Sequence, residues 1–240
     1  MSTRTRQQSR SILSKCAAIL TLAAFIQPSG AQNPEMQQRM QEIKQSQAAN
    51  KQMLAHYTWQ ETQTISIKGD VKKTSNYLVR VGPDGQQQKQ EIDPQPAAQP
   101  SGGRMKQHIV AKKKEEFEDY AQQIGALAKQ YAHLDPEMLQ QAVQKGNISL
   151  QPGGEGIVTL VITSLLKPND SVTLTFSRQD KAVQALQIAS YLNEPSDAVK
   201  INIQYAKIPN GPNHPANILV NGVSKQLTVN IQNSNYQMAG

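Results

Sequence analysis

SVTLTFS at Ser171–Ser177, VKINIQY at Val199–Tyr205 and LTVNIQ at Leu227–Gln232 decide how this chain is read. In each, apolar and polar residues alternate. Val172, Leu174 and Phe176 stand between Ser and Thr; Val199, Ile201, Ile203 and Tyr205 between Lys, Asn and Gln; Leu227, Val229 and Ile231 between Thr, Asn and Gln. A strand turns successive side chains to opposite faces, so period-two alternation puts one apolar face and one wet face on the same sheet. Such a sheet is antiparallel, and its apolar face has to be covered.

Working outward, more strands are expected on both sides. Asn147 to Leu150 reads as a short strand, and Val183 to Tyr191 as a longer one. Ile157 to Leu166 is apolar on both parities and reads as the central, doubly covered strand. Asn221-Gly222 is a hairpin signal, and Ile208 to Pro215 reads as a turn-rich loop. Earlier, Tyr57, Trp59, Ile65 and Ile67 share one parity, with Glu61 and Gln63 between them. Gly69-Asp70 reverses the chain into Tyr77, Val79 and Val81. Pro83-Asp84-Gly85 turns it again, proline presetting the first corner and glycine supplying positive φ. Gln86 to Ile92 is polar enough for an edge strand.

Helices supply the cover. Asn33-Pro34-Glu35 caps and starts one that runs to about Ala55, with a thin apolar stripe of Met36, Met40, Ile43, Ala48 and Leu54. From about Met105 to His133, Phe117, Tyr120, Ile124, Leu127 and Tyr131 recur at three- and four-residue spacing, which marks a buried face. Asp135-Pro136-Glu137 opens a third helix, ending by Gly146. Asp93 to Arg104, with three prolines and two glycines, reads as a loop. The fold class is therefore α+β: a strongly curved antiparallel sheet with helices over its concave face.

The first residues read as a signal peptide. Arg4, Arg6, Arg10 and Lys15 precede a short apolar core, Cys16 to Ile26, then Pro28 and Ser29-Gly30-Ala31. Cleavage near Ala31 is expected, leaving residues 32–240 as a single domain with a helical insertion at about 105–145, periplasmic or secreted. The apolar core falls short of the roughly 20 residues a membrane helix needs, so no transmembrane segment is expected after cleavage. The one cysteine, Cys16, opens that core directly after Lys15 rather than following it, which is the wrong place for a lipid anchor. The formal charge of +7 falls to +3 once four basic residues leave. That is too little to argue a nucleic-acid partner.

No catalytic or metal-ligating set emerges. His56, His108, His133 and His214 fall in different elements without metal spacing. Gly153-Gly154-Glu155-Gly156 lacks the Lys-Ser/Thr and the helix of a phosphate loop. There is no nucleophile elbow. Asp170, Asp180 and Asp197 sit beside turn residues, where carboxylates cap backbone amides. No cofactor is expected, and the protein reads as non-catalytic.

YTWQETQTISIKG (Tyr57 to Gly69), KPNDSVTLTF (Lys167 to Phe176), AVKINIQY (Ala198 to Tyr205) and IPNGP (Ile208 to Pro212) resemble the periplasmic outer-membrane lipoprotein carrier and lipoprotein-sorting proteins, the LolA/LolB-like superfamily. The resemblance covers most of residues 55 to 235. It implies an open β half-barrel with helices across its mouth and an apolar cavity for acyl chains. The carriers use an arginine near the cavity to hold the lid, and Arg80 is the only arginine in the early strands. The expected function is binding of an acyl chain or lipoprotein lipid in a cleft lined by Trp59, Ile65, Ile67, Leu160, Leu174 and Phe176. The alternative is a structural or interaction module of the cell envelope, stress-sensor-like, with an envelope protein as partner and no bound lipid.

Overall fold

A computed structural model of the protein describes residues 34–93, 104–132, 136–154 and 156–239. The expected signal peptide (1–31), the capping Asn33 and nearly all of the proline-rich loop (94–103) lie outside the described residues. In chain order the elements are α1 (Pro34–Leu54), β1 (Tyr57–Ile67), β2 (Asp70–Val81), β3 (Gln87–Glu91), α2 (Arg104–Ala132), α3 (Pro136–Gln144), β4 (Ile148–Pro152), β5 (Ile157–Thr163), β6 (Ser171–Ser177), β7 (Ala182–Tyr191), β8 (Ala198–Lys207), β9 (Asn213–Gly222) and β10 (Leu227–Met238).

All ten strands form one antiparallel sheet in the order β3-β2-β1-β10-β9-β8-β7-β6-β5-β4. It is not closed: β3 and β4 are its two edges. The arrangement fits a curved sheet, and it is more dominated by strands than the α+β expectation suggests. Two meanders meet where β10 pairs with β1. That pairing places β3 and β4, which are consecutive in the chain, at opposite edges. The segment between them must therefore cross the whole width. Nine inter-strand steps of about 4.8 Å make roughly 43 Å if laid flat. A helix of 29 residues is about 44 Å long. The length of α2 is what this topology demands.

The registers align side chains across strands. Leu150, Leu160, Leu174, Leu186, Ile203, Ile218 and Ile231 stand opposite one another in succession from β4 to β10. A second row runs Ile148, Ile162, Val172, Ile188, Ile201, Val220, Val229 and Ile65. Both rows sit in or against one core cluster that also holds Ile43 of α1, Tyr120, Ile124, Leu127 and Tyr131 of α2, and Ala142 of α3. The helices thus cover the apolar face that alternation predicted.

Three readings are corrected. β5 is not central; it lies next to the β4 edge. Its apolar run on both parities is only half used, with Leu160 and Ile162 buried and Val158 and Val161 partly exposed. β9 starts at Asn213, inside the expected loop, because a bulge against Gln204/Tyr205 admits Pro215 to the strand. Gly222 is not a turn residue. It ends β9, paired with both Leu227 and Val199, and the chain reverses over the next four residues. The polar strand at Gln87–Glu91 does lie at an edge, as its composition implied.

Candidate functional site

The apolar face under α2 is where the sequence placed a cleft. Leu160 and Leu174 face each other across β5 and β6, and Phe176 lies opposite Val158 and Val183. All three are buried in the main core. Ile65 and Ile67 pair with Val229 and Leu227 and pack, partly buried, against the same core. Trp59 stands apart from it. It is buried next to Val79 and stacks on Tyr236 with ring centroids 5.3 Å apart and planes 15° from parallel. The structure therefore joins five of the six expected residues through one core and puts the sixth in a neighbouring aromatic group.

Two tyrosines tie α2 down. Tyr131 donates its hydroxyl to Asp170 Oδ2 at 2.5 Å and lies 2.8 Å from Ser190 Oγ. Asp170 also accepts the amides of Leu165, Leu166 and Lys167 at 2.6–2.9 Å. It is the turn cap the sequence suggested, and it anchors the helix as well. Burial, followed by the Asp170 carboxylate, raises the Tyr131 pKa, so the hydroxyl keeps its proton. Eleven residues earlier, Tyr120 donates to Asp197 Oδ1 at 3.1 Å and accepts from Ser224 Oγ at 3.0 Å. Between the clasps α2 presses close to the sheet at Gly222. A Cβ there would sit 2.6 Å from Tyr120 Cε1 and 2.7 Å from Ile124 Cδ1.

Beside this contact the packing leaves a gap lined by Ala121 and Ile124 of α2, Val220, Leu227, Val229 and Ile231 of the sheet, and Gln63. The gap has room for about one water. Gln63 is the only polar side chain of that lining, and its amide nitrogen has no hydrogen-bond partner among the described residues.

Toward β1 and β2 the inner face changes character. Lys89 of β3 reaches over β2 to Glu61 of β1, with Nζ at 2.5 and 2.7 Å from the two carboxylate oxygens. The side chains are only 3% and 1% exposed. A pair this dry is stable only because each charge has its partner. Tyr236 stands near Glu61; burial first, then that carboxylate, raises the pKa of its hydroxyl. His214 lies 4.0 Å from Tyr236 between ring centroids. Burial lowers the His214 pKa against a smaller opposing pull from the backbone of Pro215, so the ring is favoured neutral. Arg80, by contrast, is exposed and hydrogen-bonds Gln88 at 2.9 Å. The cation that enters the inner face is Lys89.

Parity could have found Glu61, since it shares a face with Trp59 and Ile65. Parity could not have found Tyr236. A register shift in the β1–β10 pairing, with Asn235 at φ 53°, switches the face on which β10 presents its side chains. Among the described residues no group of three His, Cys, Asp or Glu side chains could hold a metal. No described helix is long and apolar enough to cross a membrane.

No protein-family model matches this sequence, and no curated protein does. Solved structures that align with this chain include two of low identity. A DUF1329 family protein from Desulfovibrio piger aligns over 82% of this chain and 92% of its own, at 12% identity and a TM-score of 0.41. A LolA superfamily protein from Nitrosomonas europaea aligns over 83% of this chain and 93% of its own, at 10% identity and a TM-score of 0.37.

Proposed function

We propose that this protein is a non-catalytic carrier or binding protein that shelters an acyl chain between the apolar face of its sheet and α2, a half-barrel with α2 as its cover. The observation that carries this reading is the unbroken aliphatic row from Leu150 to Ile231, roofed by a helix tied at its middle by the Tyr120 hydroxyl and near its C-terminal end by that of Tyr131. Each clasp is a single tyrosine hydroxyl on a carboxylate, Asp197 or Asp170, and parting the two frees α2 to rise. Each CH₂ of a guest then removed from water contributes about 0.8 kcal/mol. Trp59, Ile65, Ile67, Leu160, Leu174 and Phe176 are the proposed lining of the opened cleft. The expected signal peptide places this work in the periplasm or outside the cell.

The test is titration of delipidated protein with a long-chain fatty acid or lipopeptide, following the emission of Trp59, the single tryptophan. A saturable change supports the carrier. An unchanged spectrum, together with exclusion of a hydrophobic dye, sinks it. One observation favours the second reading, an envelope interaction module with no lipid: in the closed state the gap under α2 holds no more than about one water.

A further inference from the structure

The described residues leave eight buried side-chain polar atoms without a hydrogen-bond partner in the protein, and six of them belong to one patch. These are Trp59 Nε1, Gln63 Nε2, Ser75 Oγ, His214 Nδ1, Asn233 Oδ1 and Tyr236 OH. Registers and ring contacts put them together. Ser75 stands opposite Gln63, and Gln63 opposite Ile231. Asn233 stands opposite Glu61, one strand step away. Trp59, Tyr236 and His214 form the ring contacts described above. Gln63, Trp59, Ser75, Asn233 and His214 are each more than nine-tenths buried. Native proteins pair nearly all such atoms, because each buried polar group left unpaired is costly. Six together on one face mark a place built to receive a polar group.

Its chemistry follows from the inventory. Trp59, Gln63, Ser75 and Tyr236 offer donors; Asn233 and the bare His214 nitrogen offer acceptors. The buried charges beside the patch, Glu61 and Lys89, cancel each other. An ionic guest would meet no free counter-charge in a dry site and would lose its hydration. A guest with carbonyl and hydroxyl groups but no charge would find both kinds of partner. The patch is also continuous with the apolar row: the succession Leu150 to Ile231 runs on directly into Gln63 and Ser75, and Gln63 lines the gap under α2.

We infer that the β2–β1–β10–β9 end of the inner face is a head-group subsite for an uncharged acyl ester, whose carbonyl and hydroxyl groups pair with Gln63, Trp59, Ser75, Asn233, Tyr236 and His214 while its chain runs along the aliphatic row beneath α2. This rests on the acyl-chain reading and adds the class of lipid to it. The consequence is selectivity: an ester with free hydroxyls binds better than the corresponding fatty-acid anion, which brings the same chain and an unpairable charge.

The probes are monooleoylglycerol and sodium oleate, titrated below their aggregation concentrations at pH 7.5 into the delipidated protein and read by Trp59 emission and by calorimetry. The glycerol ester is expected to bind at least tenfold more tightly. In Gln63→Met and Tyr236→Phe, which keep shape and remove a donor, ester affinity falls about tenfold each while oleate affinity stays within about twofold. Circular dichroism and the melting midpoint confirm that both variants fold. Equal affinities for ester and anion, tighter binding of the anion, or an equal loss of both ligands in the variants overturns the head-group subsite and leaves the acyl-chain reading standing. Failure of both ligands to bind the wild-type protein overturns the two together.

Discussion

Gly222→Ala tests how α2 is seated. The new Cβ would lie 2.6–2.7 Å from the Tyr120 ring, the Tyr120 hydroxyl and Ile124 Cδ1. Ordinary contact begins at 3.4 Å, so the ring must retreat by about 0.8 Å. It is held by Asp197 and Ser224 and by the helix that carries it, and β9 is held between β8 and β10. Overpacking of this kind costs about 1–3 kcal/mol. Alanine also restricts the unfolded chain, which returns about 0.4–1 kcal/mol. The clash wins, and a net loss of about 1–2 kcal/mol is expected. With a urea slope near 2 kcal/mol per molar, the unfolding midpoint falls by about 0.5–1 M at unchanged slope. Adding Tyr120→Ala removes the ring that clashes, so the two costs combine by less than their sum, with a coupling above about 0.5 kcal/mol. A midpoint that stays level or rises in Gly222→Ala, or strict additivity in the double variant, refutes the close approach and returns Gly222 to the hairpin role its sequence suggested.

Tyr131→Phe should cost about 1–3 kcal/mol in the same urea assay, since it removes the hydroxyl from buried Asp170 and Ser190; it should also speed fatty-acid uptake if α2 opens, and an unchanged uptake rate argues that α2 stays shut. Lys89→Met strands the Glu61 carboxylate and should cost about 3–5 kcal/mol, whereas Lys89→Met with Glu61→Leu should regain most of it; a single variant as stable as wild type would show the pair to be solvated. For His214 the folded pKa is lowered, so the unfolded chain binds more protons as pH falls through its ordinary value near 6.5, and stability drops there. His214→Gln should therefore lose part of the fall in melting midpoint between pH 7.5 and 5.5, and identical pH slopes in the two proteins would contradict a neutral buried ring.

Alternation by itself determined that Ser171–Ser177, Val199–Tyr205 and Leu227–Gln232 are strands with one apolar face, and three- and four-residue spacing determined that Tyr120, Ile124, Leu127 and Tyr131 face a core. These are local properties: a side chain's direction follows from the backbone period of its own element. Turn chemistry at Gly69-Asp70 and Pro83-Asp84-Gly85 was equally local. Which strand neighbours which is not written in any one segment. Only the tertiary structure decided that β10 closes on β1, which sends β3 and β4 to opposite edges and makes α2 cross the face. Only the register shift near Asn235 brought Tyr236 onto Trp59, and only pairing across three strands joined Lys89 to Glu61. The candidate lining was legible because apolar burial is periodic. The polar patch beside it was not, because it is assembled from two strand pairs at opposite ends of the chain, β1–β2 and β9–β10, and what makes it a site is the want of partners, which exists only after the chain has packed.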